Sequence, residues 1–395
     1  MKILQIVPRY APAWAFGGGV RMTFDLARQW VKHGHQVTVF TSDQIDSRHR
    51  STNLHDIMDG IHIHRFKNPH NFLAARYSFL FLYPMGLARA LQSCAEQFDV
   101  AHLAEARGRH THWAARFLPQ QNVPFVWSAY GGLADGEGTR RVYRQAHDHL
   151  FNTAGMVQKA AGLIAQTDHE AGVYSRFGAH PDQIRVISLG VNWNDFESLP
   201  PRGEFRRKIG LSDKNKLILF VGRVHWTKGL QLLIPAFAEV ARRMPQARLA
   251  IVGWDHGFLN RAKQIAIELH LSDRVFFLEP LFGRERLSAY VDADVFALMP
   301  CVYEETSLSA LEACACGTCC VITKQCEIPG LDENTAGFIV EYDREQVANA
   351  LWQSLQQGFS ERCGANARRL VQERFTITAI AKEHERFFAD IAKVK

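Results

Sequence analysis

The 395-residue chain has no apolar run long enough to cross a bilayer and no dense tract of like charge. The first absence argues against a membrane-spanning helix, which needs about 20 consecutive apolar residues. The second argues against nucleic acid as a partner, because the net charge of +6 comes from 46 basic and 40 acidic side chains spread along the chain. Such a balance leaves room for a mild attraction to anionic substrates or to a membrane surface. No cleavable leader is expected either, since Met1-Lys2 is followed at once by Ile3-Leu4-Gln5-Ile6-Val7, which reads as a buried strand. The expectation is a cytoplasmic protein, with peripheral contact at the inner face of the membrane as a further option.

Recurring Cys-x-x-Cys pairs are missing as well. Five of the eight cysteines lie between Cys314 and Cys326, but no second cluster completes a four-ligand site. These residues read as small buried thiols, and no metal is expected. The dinucleotide fingerprint Gly-x-Gly-x-x-Gly is absent too; Gly17-Gly18-Gly19 follows the first strand through a longer loop.

What the chain does have is 47% hydrophobic and 22% charged residues, enough for a large core and two domains. Apolar strands alternate with amphipathic helices throughout, which predicts an α/β protein of doubly wound parallel sheets. The first half offers Ile3-Val7, Val37-Phe40, Ile61-Phe66, Val100-Leu103, Phe125-Ser128, Leu163-Gln166 and Arg185-Ile187. Val20, Phe24, Ala27 and Val31 mark one face of a helix that ends at Gly34. The pattern restarts with Leu217-Val221, Leu249-Val252, Val275-Leu278, Val295-Met299, Cys320-Ile322 and Phe338-Val340. Asn192-Trp193-Asn194-Asp195 and Pro200-Pro201-Arg202-Gly203 read as hinge and linker. The expected domains are 1–191 and 192–375, with the last helix, 376–395, free to pack back onto the first. Residues 44–60 and 67–98 carry little signal. The aromatic run Tyr77 to Tyr83 reads as core-facing in preference to lipid contact.

Two segments carry the chemistry. Gly222-Arg223-Val224-His225-Trp226-Thr227-Lys228-Gly229 places two cations at the carboxyl end of a strand, where open parallel sheets bind ligands. Arg223 can fork onto phosphate oxygens, and Lys228 adds a mobile point charge. Glu304-Glu305-Thr306-Ser307-Leu308 opens a helix that ends near Gly317. Thr306 or Ser307 can cap it, leaving amides and the positive end of the dipole for an anion. Glu304 can take hydrogen bonds from hydroxyls beside that anion, and Glu312, about two turns on, is within reach of a ribose. Gly17 and Gly18 leave the backbone open to a ligand.

Together these segments resemble the retaining family 4 glycosyltransferases of the GT-B fold, whose two doubly wound, Rossmann-like domains face each other. The likeness is dense from Leu217 to Val340, through Gly222-Arg223, Lys228-Gly229, Glu304 to Ala313, Ala315-Cys316-Gly317-Thr318 and Ile328-Pro329-Gly330. It continues at Gly17-Gly18, Gly34-His35-Gln36-Val37, Phe98-Asp99-Val100-Ala101-His102 and Leu189-Gly190-Val191. By that resemblance, Arg223 and Lys228 bind the donor diphosphate, assisted by amides around Thr306, Ser307 and Leu308. Glu304 holds the transferred sugar, Glu312 the ribose.

The implied reaction moves a sugar from a nucleotide diphosphate sugar to a glycan or lipid-linked acceptor, retaining, with neither metal nor cofactor. Asp292-Ala293-Asp294 is then a helix end and strand start instead of a metal motif. The chain departs from the pattern at Glu305, Thr306 and Ser307, where glycine or phenylalanine is frequent. It departs again at Tyr130, which stands where the family commonly has a histidine beside the donor sugar; His102 and His110 lie nearby in sequence. A nucleotide-sugar epimerase of the same fold and a catalytically silent nucleotide-sugar-binding protein are the alternatives.

Overall fold

The computed structural model describes residues 1–76, 81–135 and 139–393. Four residues of the aromatic run, Tyr77 to Leu80, and the last two of the expected final helix, Val394 and Lys395, lie outside them. Contacts divide the chain into two compact units, one of Met1–Leu189 with Ile377–Lys395 and the other of Gly190–Thr376.

Among the described residues, the first unit forms an eight-stranded sheet. Its strands are β1 (Lys2–Ile6), β2 (Gln36–Ser42), β3 (His55–Met58), β4 (Ile61–Phe66), β5 (Val100–Ala104), β6 (Phe125–Ser128), β7 (Gly162–Ala165) and β8 (Ile184–Val186). The order is β3-β4-β2-β1-β5-β6-β7-β8, parallel except where β3 pairs antiparallel with β4. Of these, β3 falls in a stretch without sequence signal; its residues are half-buried or exposed, so it lacks the apolar run of an interior strand. The central strands are buried throughout, as strands covered by helices on both faces must be.

The helix Gly18–Lys32 crosses one face and leaves through Gly34, whose φ of 87° suits glycine. Against it packs the last helix, Ile377–Lys393. Trp30 meets Phe388 edge-on at 5.4 Å and His102 at 5.6 Å, and a Cβ on Gly162 would lie 2.5 Å from Phe387. Burying Phe387 and Phe388 there stabilises the unit by about 2 kcal/mol per ring.

The second unit has six parallel strands: β9 (Lys216–Val221), β10 (Ala247–Val252), β11 (Val275–Leu278), β12 (Val295–Leu298), β13 (Cys319–Thr323) and β14 (Gly337–Val340). Their order is β11-β10-β9-β12-β13-β14. The segment read as a linker is tied into this unit. Asn194–Glu197 is a short helix, Arg202 reaches the Asp294 carboxylate at 2.9 Å, and the Gly203 amide donates to Asp292.

One cysteine reading is corrected. Cys319, at the start of β13, is bonded to Cys363 of the helix Phe359–Arg374 across 44 residues of sequence, a distance at which spacing gives no signal. Close packing brings them together, since a Cβ on Gly364 would lie 1.9 Å from the Gly317 carbonyl. Cys314, Cys316, Cys320 and Cys326 are buried thiols.

Three buried histidines make the fold sensitive to acid. Burial holds His102 down to about 3, His110 to about 4 and His384 well below its ordinary value. Above the ordinary value of 6.5 these rings are neutral whether the chain is folded or not. Below it the unfolded chain takes up protons that the folded chain refuses, so stability falls with pH by up to about 1.4 kcal/mol per pH unit for each ring. Urea unfolding between about pH 7.5 and about pH 5 should show this decline, and His102→Asn should make it shallower. An unchanged slope in the variant would mean that His102 is not held neutral.

Candidate functional site

Both sheets reverse their winding beside their first strand, so the chain leaves β1 and β9 toward one edge and returns on the other side at β5 and β12. Loops on either side of such a point diverge and leave room at the carboxyl ends of the strands. In the second unit, β9 delivers Arg223 and Lys228 to this place, and β12 delivers Glu304 and the helix Leu308–Ala315.

The loop after β9 is fastened on both sides. Val224 donates to the Trp254 carbonyl at 2.8 Å and accepts from the His256 amide at 3.0 Å, while the Cys301 amide donates to Thr227 at 3.0 Å. Gly229 is required, because with φ at 75° a Cβ there would lie 1.4 Å from the Met299 carbonyl oxygen. Lys228 closes the short turn Trp226–Lys228, and its Nζ lies 2.5 Å from Glu304 Oε1. Two residues that the sequence reading placed in separate segments are thus in direct contact. One donor of the ammonium is spent on Glu304, and two remain. Arg223 is exposed, near enough to His256 that its charge joins burial in lowering that ring's pKa.

The loop after β12 is zipped to the loop after β13, with Glu304 donating to Gln325 at 2.8 Å and Glu327 to the Glu305 carbonyl at 3.1 Å. Glu305 is buried with φ at 59°, a conformation that favours glycine. The capping expectation is corrected here. Ser307 occupies the N-cap position with no side-chain bond to the helix, and its hydroxyl lies 3.0 Å from that of Ser309. Thr306 is buried before it. Burial pushes the Cys326 thiol up to about 12 against hydrogen bonds from Ser307. The helix therefore starts without a side-chain cap, its amides from Leu308 onward open to an anion.

Glu312 is held by two residues that sequence reading missed. From the helix Gly283–Asp292, Arg286 Nη2 lies 3.2 Å from one carboxylate oxygen and the Tyr290 hydroxyl donates to the other at 3.2 Å. Their one-turn spacing was the available signal. Asp292 and Asp294 at the end of that helix serve the fold: Asp294 takes Arg206 and the Leu217 amide, each at 2.7 Å, and Asp292 takes the Arg206 amide at 2.9 Å.

In the first unit, Gly17 and Gly18 form the exposed start of the helix after β1, Gly17 with φ at 87°. Tyr130 follows β6 with φ at 51°. Its turn is locked by Glu170, which accepts from the Gly131 amide at 2.6 Å and from Gln166 at 2.8 Å, and by Tyr174, which accepts from Ala129 at 2.9 Å. Thr167-x-x-Glu170 is a helix-start pattern that could have flagged this carboxylate. The Tyr130 hydroxyl is buried near Ser128 without a hydrogen bond of good geometry, and burial raises its pKa. His102 and His110 are fold residues: His102 Nε2 lies 2.9 Å from Ser128 Oγ, and His110 Nε2 lies 3.2 Å from the Ala104 carbonyl.

The structure thus gathers cations and uncapped amides at the switch point of a parallel sheet, chemistry suited to an anion. Two family models match in succession, Glycosyltransferase Family 4 over residues 16–194 and Glycosyl transferases group 1 over residues 201–370. The chain belongs to the family 4 glycosyltransferases, of GT-B fold. A D-inositol 3-phosphate glycosyltransferase of Corynebacterium jeikeium is 32% identical over 282 residues, which are 66% of this chain and 65% of that protein. Two solved structures share the fold. Sucrose-phosphate synthase from Thermosynechococcus elongatus is 21% identical with a TM-score of 0.77, covering 100% of both chains. Anabaena Alr3699/HepE, in complex with UDP-glucose, is 18% identical with a TM-score of 0.73, over 99% of this chain and 100% of that one.

The unbonded hydroxyl of Tyr130 gives a direct test. Removing a buried polar group that has no partner costs the fold nothing, so Tyr130→Phe should melt at or slightly above the wild-type temperature. Destabilisation by more than about 1 kcal/mol would show that the hydroxyl supports the fold.

Proposed function

We propose that the protein transfers a sugar from a nucleoside diphosphate sugar to a glycan or lipid-linked glycan acceptor, with retention and without a metal ion or cofactor. The observation that carries this is the contact of Lys228 with Glu304 at 2.5 Å, which joins a phosphate-binding cation to a hydroxyl-binding carboxylate beside an uncapped helix start. Arg223 and Lys228 stabilise the charge that builds on the leaving diphosphate, helped by the amides from Leu308 onward. Glu304 orients the sugar, and Glu312, fixed by Arg286 and Tyr290, takes the ribose hydroxyls. The departing phosphate oxygen receives the acceptor's proton on the same face. Gly17 and Gly18 give the uncharged sugar part of the ligand close backbone approach, and Tyr130 stands at the same, carboxyl end of the first sheet. That the same fold carries UDP-glucose in the Anabaena protein supports a donor of this class.

Arg223→Ala and Lys228→Ala should each lower turnover about a hundredfold or more without unfolding the protein, since one lost electrostatic donor costs about 3 kcal/mol. The assay follows a panel of nucleotide sugars by mass spectrometry, so transfer, epimerisation and binding without turnover are told apart. Near wild-type turnover in either variant removes that residue from the clamp.

The cationic clamp supplies the neutralisation that a magnesium ion gives elsewhere, so turnover should survive EDTA. Loss on chelation, restored by magnesium or manganese, would overturn the metal-independent reading.

A further inference from the structure

At the switch point of the first sheet the chain supplies its own anion. Glu105 follows β5 with φ at 68°; its amide donates to the Ser128 carbonyl at 3.0 Å, and its carbonyl accepts from Trp127 Nε1 at 2.8 Å. The side chain therefore starts from a fixed point. It reaches the beginning of the helix Gly18–Lys32, where a Cβ on Gly19 would lie 3.6 Å from Glu105 Oε1. Arg9, just past β1, is its charged neighbour, with its guanidinium anchored on Gln44 at 2.8 Å and the Ala74 carbonyl at 2.7 Å. Burial pushes the Glu105 carboxyl up, and the Arg9 charge opposes that. Tyr130 is near enough to feel the carboxylate.

A helix start beside an arginine ordinarily attracts phosphate. Here a carboxylate already stands beside the helix start, within electrostatic range of the arginine. A phosphate brought to the same place would meet a like charge at short range in a partly buried setting, where repulsion is poorly screened. A hydroxyl would instead donate to Glu105.

We infer that Glu105 selects an acceptor whose attacking ring is a neutral polyol and refuses one that presents a phosphate there. This rests on the glycosyltransferase reading for its place in catalysis. It differs from what is expected of the Corynebacterium relative, whose name specifies a phosphorylated inositol.

Two measurements test it. The first needs no catalysis: inorganic phosphate is titrated calorimetrically into the wild type, Glu105→Gln and Glu105→Asp. Glu105→Gln should bind phosphate at one more site than the wild type, while Glu105→Asp, which keeps the charge, should not. Equal stoichiometry in all three, with melting curves showing each folded, overturns the inference. The second compares transfer to myo-inositol and to myo-inositol 3-phosphate. The wild type should favour the neutral acceptor, and Glu105→Gln should shift the ratio of kcat/KM toward the phosphate by about tenfold. A wild type that favours the phosphate, or a ratio unmoved by the substitution, also overturns it. If no donor is turned over at all, the glycosyltransferase reading fails by itself, and the phosphate titration still decides the charge preference.

Discussion

The reversal of winding beside the first strand of each sheet is the constraint on which the rest depends. Because parallel strands need right-handed crossovers, a sheet that starts in the middle must fill one side and then the other, and at the reversal two adjacent loops turn away from each other. In the second unit these are the loops after β9 and β12. Their separation in sequence, between Lys228 and Glu304, is large, yet the fold sets the two side chains in contact. The glycines follow from the same crowding. Gly229 lies so close to the Met299 carbonyl that no side chain fits, and the loop can then carry its lysine over the end of β12.

The sheets were legible because interior parallel strands leave a strong trace, a short apolar run bounded by turn residues. Each of the thirteen strands read from such runs overlaps one in the structure. The missed strand, β3, has a half-exposed edge with no such run. Partners that meet only through tertiary packing left little or no trace either. Nothing in the spacing of Cys319 and Cys363 announces a bond, and Arg286 and Tyr290 look like ordinary residues of a solvated helix until Glu312 is set beside them. The capping was read wrongly. Ser307 has the right residue type and position for a cap, but its hydroxyl lies beside Ser309 and Cys326. Residue type predicts a capacity for a bond; the neighbours decide whether it is made.

Charged groups of opposite sign lie together at both switch points. Lys228 meets Glu304, Arg286 meets Glu312, and Arg9 is within electrostatic range of Glu105. Such pairs contribute little to stability where water reaches them, because the desolvation cost offsets most of the attraction. Their value lies in position. A lysine side chain alone samples many rotamers, and fixing it on binding carries an entropic cost; a lysine already held by a carboxylate has lost most of that freedom. The carboxylate so used is itself a group that accepts sugar hydroxyls, so one pair arranges both halves of the proposed donor contact.

The two helix starts are built from the same element and tuned in opposite senses. After β12 the helix begins without a side-chain cap, and of the two glutamates before it Glu304 is engaged by Lys228 while Glu305 is buried. The positive end of that helix is left to a ligand. After β1 the helix also begins without a side-chain cap, at Gly17, but Glu105 from the neighbouring strand stands over it. The difference does not come from the helix, whose dipole is fixed by backbone geometry alone. It comes from one residue after the adjacent strand, in a left-handed conformation, whose carboxylate oxygen lies 3.6 Å from where a Cβ on Gly19 would be. A fold that presents an anion site wherever its winding reverses can thus be made to refuse an anion by a single side chain across the switch point, with no change to sheet or helix.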